Sequence, residues 1–171
     1  MKIASKKTTT NVEAPITAQQ QASDSSERVI GGLKRATSLQ DVTVSGYQCS
    51  ELFGRMVALF REHSDLVNKF KVTYVFDLIN DHDKTVKKQW TLNLKNKDDC
   101  GVYFGAPVVK EGEKIVDCTM TMTDSNCYKI MTGKLSPHTA YMKGIVKVKG
   151  NIGLALKLVG LQKLLAQEPS L

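Results

Sequence analysis

Asp81, His82 and Asp83 stand side by side, and an imidazole flanked by two carboxylates is a donor set that a divalent cation accepts. No further ligand completes a coordination sphere nearby, and Asn80 opens the run, so the triplet reads as a solvated polar turn with no metal. Cys49, Cys100, Cys118 and Cys127 show neither a CxxC pair nor a framework spacing. His63, His82 and His138 are scattered away from them, which argues against zinc. Cys118, in an apolar alternation, and Cys127, on a helix, read as small core residues in a reducing compartment. Lys34-Arg35 ahead of Thr37 and Ser38 is the pattern that a basophilic kinase takes. No Ser/His/Asp set, nucleophile elbow or phosphate-cradling loop occurs, and His138 beside Pro137 has no partner. The expectation is a non-enzymatic protein with no catalytic residue, no cofactor and no metal.

What remains is the chemistry of apolar surface, and it is concentrated in Gly144 to Leu165. This stretch reads as a short strand (Ile145 to Lys149), a Gly150-Asn151 turn and one helix. At about 100° per residue, Leu154, Leu158, Leu161 and Leu165 fall in one narrow sector. Ile152, Ala155, Leu156 and Val159 fall in a second, roughly 140° round from the first. One stripe can pack on a sheet. The other has no evident partner in a small domain, and a lipid is the expected occupant.

The elements that must position this helix can be taken in order. Residues 1–44 are rich in Thr, Ser, Gln and Lys with few large apolar side chains, and read as a flexible arm. Order is expected from Ser45, where Ser45 and Gln48 suggest a capping box ahead of a helix carrying Leu52, Phe53, Met56 and Phe60. Val72 to Ile79 alternates as a strand, and Gln89 to Lys95 returns as its hairpin partner through Trp90, Leu92 and Leu94. Gly101 to Gly105 is a third strand. Asp117 to Thr123 is a fourth, with Cys118, Met120 and Met122 on one face. Asp124 is expected to cap a two-turn helix stopped at Thr132-Gly133, and Ser136-Pro137 to start another. The domain is set at 45–166, with a tail over 167–171.

Composition bounds the partners. The chain of 171 residues is 42% hydrophobic, which suits one globular domain. No window approaches the roughly 18 to 20 apolar residues of a membrane span, so a soluble protein is expected. The net charge of +7 favours acidic partners such as anionic membrane surfaces or phosphate-bearing lipids. Nucleic acid is not expected, because the strands lack paired exposed aromatics and aromatic content is only 6%.

Asp117 to Met122 (DCTMTM), Met131 to Lys134 (MTGK) and Lys147 to Leu158 (KVKGNIGLALKL) together resemble the C-terminal half of the sterol carrier protein 2 domain family. Phe70 to Lys95, with Trp90 in its second strand, is similar to that family's first hairpin. The resemblance covers Gln48 to Leu165. It implies an α+β fold in which a five-stranded, mostly antiparallel sheet carries helices over one face and encloses an apolar tunnel. It also implies low-selectivity binding and transfer of sterols, fatty acids, acyl-CoAs or phospholipids, by a monomer. Tyr74, Phe76, Trp90, Leu92, Met120, Ile130, Tyr141, Leu156 and Val159 are the expected wall residues. Lys143, Lys147, Lys149, Lys157 and Lys163 are the expected contacts with anionic headgroups at a membrane. An adaptor that keeps the domain as a protein-interaction module is the alternative. Peroxisomal members of the family end in a Ser/Ala-Lys-Leu tripeptide, whereas this chain ends Pro169-Ser170-Leu171. A cytoplasmic location is expected on that ground, with the peroxisome as the alternative.

Overall fold

The computed structural model describes residues 29–167. The expected arm lies for the most part outside them, as do four of the five tail residues. Residues 29–44, assigned to the arm, are instead tied into the domain. Val29–Ile30 (β1) and Leu33–Lys34 (β2) form a small hairpin, Arg35 bridges Tyr103, and Leu39–Asp41 is a 3-10 turn. Val42 is buried, and its carbonyl accepts the Trp90 indole N–H at 2.8 Å. The chain therefore enters the domain's core ahead of the expected boundary at Ser45.

Cys49–Glu62 (α1) and Leu66–Phe70 (α2) follow, then Thr73–Ile79 (β3), Lys87–Asn93 (β4) and Gly101–Phe104 (β5). Cys118–Thr123 (β6) leads into Asp124–Met131 (α3), Pro137–Met142 (α4), Lys147–Gly150 (β7), Ile152–Leu156 (α5) and Leu158–Gln167 (α6). The five main strands lie in the order β5-β4-β3-β6-β7. Neighbours are antiparallel except for β3 and β6, which run parallel at the centre, so the sheet is mixed.

The alternation read from the sequence sets the faces. Tyr74, Phe76 and Leu78 of β3 share a side with Trp90 and Leu92 of β4 and with Cys118, Met120 and Met122 of β6, all buried beneath the helices. Phe53 of α1 stacks on Trp90 at 5.4 Å between ring centres and tilts against Phe76 at 5.1 Å. Gly54, inside α1, costs about 0.5–1 kcal/mol of helix stability relative to Ala. It lets Leu39 pack closely on the helix, since a Cβ here would stand 2.6 Å from Leu39 Cγ and that side chain would have to shift.

Helix ends are fixed by carboxylates from elsewhere in the chain. Asp124 does not cap its own helix; Thr123 does, its hydroxyl accepting the Asn126 N–H. Asp124 is buried and accepts the backbone N–H groups of Gln48 (2.6 Å) and Cys49 (3.0 Å), which closes the start of α1 in place of the expected Ser45 box. Asp81 accepts the Ser125 N–H (2.8 Å) and hydroxyl (2.9 Å) at the start of α3. That is the work of the Asp-His-Asp turn. Among the described residues no cluster of three potential ligands could hold a metal. Ser136 and Pro137 begin α4 as expected, and Gly133 (φ 76°) follows the end of α3.

Candidate functional site

The expected terminal helix is two helices. It breaks at Lys157, between α5 and α6, so the two stripes do not run along one straight axis. The partition they imply nevertheless holds for most of their members. Leu158, Leu161 and Leu165 are buried, Leu154 is half-buried, and Ala155 of the second stripe is also buried. Ile152, Leu156 and Val159 are exposed by 39%, 36% and 40%. Tyr141 and Met142 at the end of α4 extend the exposed apolar surface.

Inside this lip lies an apolar seam between the helices and the β6–β7 edge of the sheet. Its floor is Met120 and Met122 of β6 with Val148 of β7. Its roof is Tyr141 of α4 together with Ile152 and Leu156 of α5, and Ile130 of α3 closes one side. The seam is shut: the space within is about 10 Å³, room for scarcely one water molecule. Among the described residues the expected tunnel is not open at this seam. A larger hollow of about 610 Å³ lies along the outer face of α1, lined by Leu39, Val57, Ala58, Leu59 and Leu165 with charged Glu51, Arg55, Arg61 and Glu62 around them.

Four expected wall residues, Met120, Ile130, Tyr141 and Leu156, meet at the seam. Val159 stands outside on the lip. Phe76, Trp90 and Leu92 face the helices, as expected, but sit in the β3–β4 columns; Phe76 and Trp90 pack on Phe53 of α1, so these residues serve the core. Tyr74 is buried beneath α5, and its hydroxyl donates to the Leu154 carbonyl at 2.7 Å. Burial pushes its phenol well above the ordinary tyrosine value, so it remains a donor at all physiological pH. Met122, Pro137, Val146, Val148, Ile152, Ala155 and Leu158 complete the lining. Ile152 and Ala155 carried a signal in the sequence, as members of the spare stripe.

The five lysines divide. Lys143 and Lys157 directly follow Met142 and Leu156, and Lys163 lies one turn beyond Val159 on the same face of α6. Lys147 and Lys149 pair with Thr121 and Thr119. By alternation they point to the sheet face opposite Val148 and the seam. Three lysines thus flank the lip and two do not. No helix among the described residues is long and apolar enough to cross a membrane.

A small α+β domain whose helices close an apolar seam against one edge of a mixed sheet, with bare apolar side chains at the mouth, has the form of a carrier for an apolar ligand. Residues 53–163 match the model of the SCP-2 sterol transfer family, and the chain belongs to that family. It is 36% identical over 129 residues to peroxisomal multifunctional enzyme A of Dictyostelium discoideum, a match covering 75% of this chain and 27% of that protein. It is 31% identical over 121 residues to sterol carrier protein 2 of Bos taurus, covering 70% and 21%. The chain spans about a quarter of the length of these curated relatives. The solved structure of sterol carrier protein 2 from Yarrowia lipolytica in its apo form superposes with a TM-score of 0.62 at 25% identity, covering 75% of this chain and 99% of that one. Membership carries the family's general property, lipid binding and transport.

Proposed function

We propose that this chain binds a single lipid in the seam between α4, α5 and the β6–β7 edge, and exchanges it with membranes without altering it chemically. The observation that carries the reading is the exposed apolar lip formed by Tyr141, Met142, Ile152, Leu156 and Val159 directly around a seam lined almost wholly by apolar side chains. A lipid-sized site needs about 300 Å³ or more, so α4 and α5 must lift for entry. Both are short, six and five residues, and the Tyr74 hydroxyl bond is a single polar tie between α5 and the sheet. The same lip, flanked by Lys143, Lys157 and Lys163, is the surface offered to an anionic bilayer.

The energetics favour low selectivity. A chain of about sixteen carbons gains on the order of 13 kcal/mol on burial, at about 0.8 kcal/mol per methylene. Association and ordering cost about 4 to 15 kcal/mol. Apolar contacts alone separate similar chains weakly. Sterols, fatty acids, acyl-CoAs and phospholipids are accordingly the proposed ligand range, for a monomer acting in the cytoplasm or the peroxisome. The test is titration of the delipidated full chain with a fluorescent fatty acid. A saturable signal displaced by oleate is expected, and its absence would refute the carrier.

The closed seam favours one competing reading, an adaptor that keeps the fold for binding protein. Native mass spectrometry of protein taken directly from cells separates the two. A carrier emerges with a lipid bound, an adaptor emerges empty.

A further inference from the structure

The sequence reads Cys127 as a small core residue and gives Cys49 no pairing. The fold brings their sulfurs to 2.8 Å, with both side chains fully buried. That is well inside the contact distance of two unbonded sulfurs, and less than about 1 Å beyond the 2.05 Å of a disulfide.

We propose that Cys49 and Cys127 are an oxidisable pair, closed to an intramolecular disulfide by a peroxide and reopened by a dithiol. The placement is over-determined. Cys127 lies one turn beyond Asp124 on the same face of α3, and Asp124 holds the Cys49 backbone N–H at 3.0 Å. One carboxylate thus fixes the start of α1 against α3 and sets the distance between the sulfurs. The other two cysteines are differently placed. Cys118 is in β6 and Cys100 directly precedes β5, three positions away in the sheet, a separation of roughly 14 Å at about 4.8 Å per strand.

The reaction balances with hydrogen peroxide as oxidant. One sulfur attacks a peroxide oxygen, the O–O bond breaks, and a sulfenic acid and one water result. The second sulfur then displaces the sulfenic oxygen, which leaves as a second water with the remaining thiol proton. Two thiols and one peroxide give one disulfide and two waters. Burial, together with the Cys127 thiol at its side, pushes the Cys49 thiol well above its ordinary value, so the first step is slow. The second is fast, because the partner is already in place. The same burial shields the finished disulfide from large reductants.

The test uses the full chain with Cys100→Ser and Cys118→Ser, exposed to peroxide while folded, then quenched with N-ethylmaleimide in denaturant and weighed intact. The expected result is joint loss of both thiols, a fall in mass by two hydrogens, and a cross-linked peptide containing Cys49 and Cys127. Dithiothreitol should restore both thiols. Thiols that disappear independently, or products that gain two or three oxygens, would overturn the proposal. So would two thiols that stay alkylatable at a dose that oxidises the denatured chain. Should the double variant fail to fold, peptide mapping of the oxidised wild-type chain decides the matter, a Cys49–Cys127 cross-link supporting the pair and any other dominant linkage refuting it.

Discussion

The lip makes a quantitative prediction about membrane partition. Replacing Ile152, Leu156 and Val159 together by Ser removes apolar surface that is 39%, 36% and 40% exposed. Complete burial of such a side chain is worth about 1.5–3 kcal/mol. The exposed share of each is therefore worth roughly 0.6–1.2 kcal/mol on entering a bilayer interface, and the three together roughly 1.7–3.5 kcal/mol. At about 1.4 kcal/mol per factor of ten, partition onto vesicles containing anionic lipid should fall about 20- to 300-fold. Co-sedimentation with vesicles of mixed neutral and anionic phospholipid measures it directly. Thermal melting of the same variant is the control, since the fully buried leucines of α6 remain untouched. A variant that melts normally and still partitions as the wild type would show that the membrane is met by some other surface.

Asp124→Ala takes the acceptor from two N–H groups at the start of α1, and should cost about 2 kcal/mol, or roughly 4–8 °C in melting temperature. Burial raises the Asp124 carboxyl above the ordinary aspartate value, so the folded chain takes up this proton before the unfolded chain does. The group's contribution to stability is greatest below the ordinary aspartate value and declines as pH rises through the raised folded value. The wild type's advantage over the variant should therefore grow on acidification, and an advantage that shrinks in urea melts would contradict the assignment. Tyr74→Phe removes one hydrogen bond of about 1 kcal/mol holding α5 down. Fatty-acid association in stopped-flow should speed up by about fivefold if α5 is the gate, and an unchanged rate would remove it from that role. Gly150→Ala forces a side chain at φ 104° into the Asp117 carbonyl oxygen. It should lower stability by about 1–3 kcal/mol, seen as an earlier thermal transition.

The strands were readable because alternation names a face directly. Tyr74 pairs with Leu92 and Phe76 with Trp90, all on the helix side, as the pattern implies. Ser136-Pro137 was readable because a cap and a first-turn proline act locally. Alternation says nothing about which column of the sheet a residue occupies. Phe76, Trp90 and Leu92 are therefore expected in the wall from the sequence, whereas the fold sets them on the helix side in the β3–β4 columns, away from the seam. The break at Lys157 has no Pro to announce it, and the sequence reading ran one helix through it. The clamps made by Asp81 and Asp124, and the meeting of Cys49 with Cys127, join residues from 44 to 78 positions apart. Pairings at that range depend on the assembled fold and leave no local mark.

The parallel pairing of β3 with β6 has a bearing on how the protein is made. The β3–β4 hairpin can zip as soon as it is synthesised, whereas the parallel ladder must wait for the 24 residues that follow β4 before β6 arrives. Met120 and Met122, which floor the seam, belong to that late strand, and the helices that roof it come later still. A nascent chain paused before α5 would thus have most of a core but nowhere to hold a lipid, so loading should await the synthesis of α5 and α6.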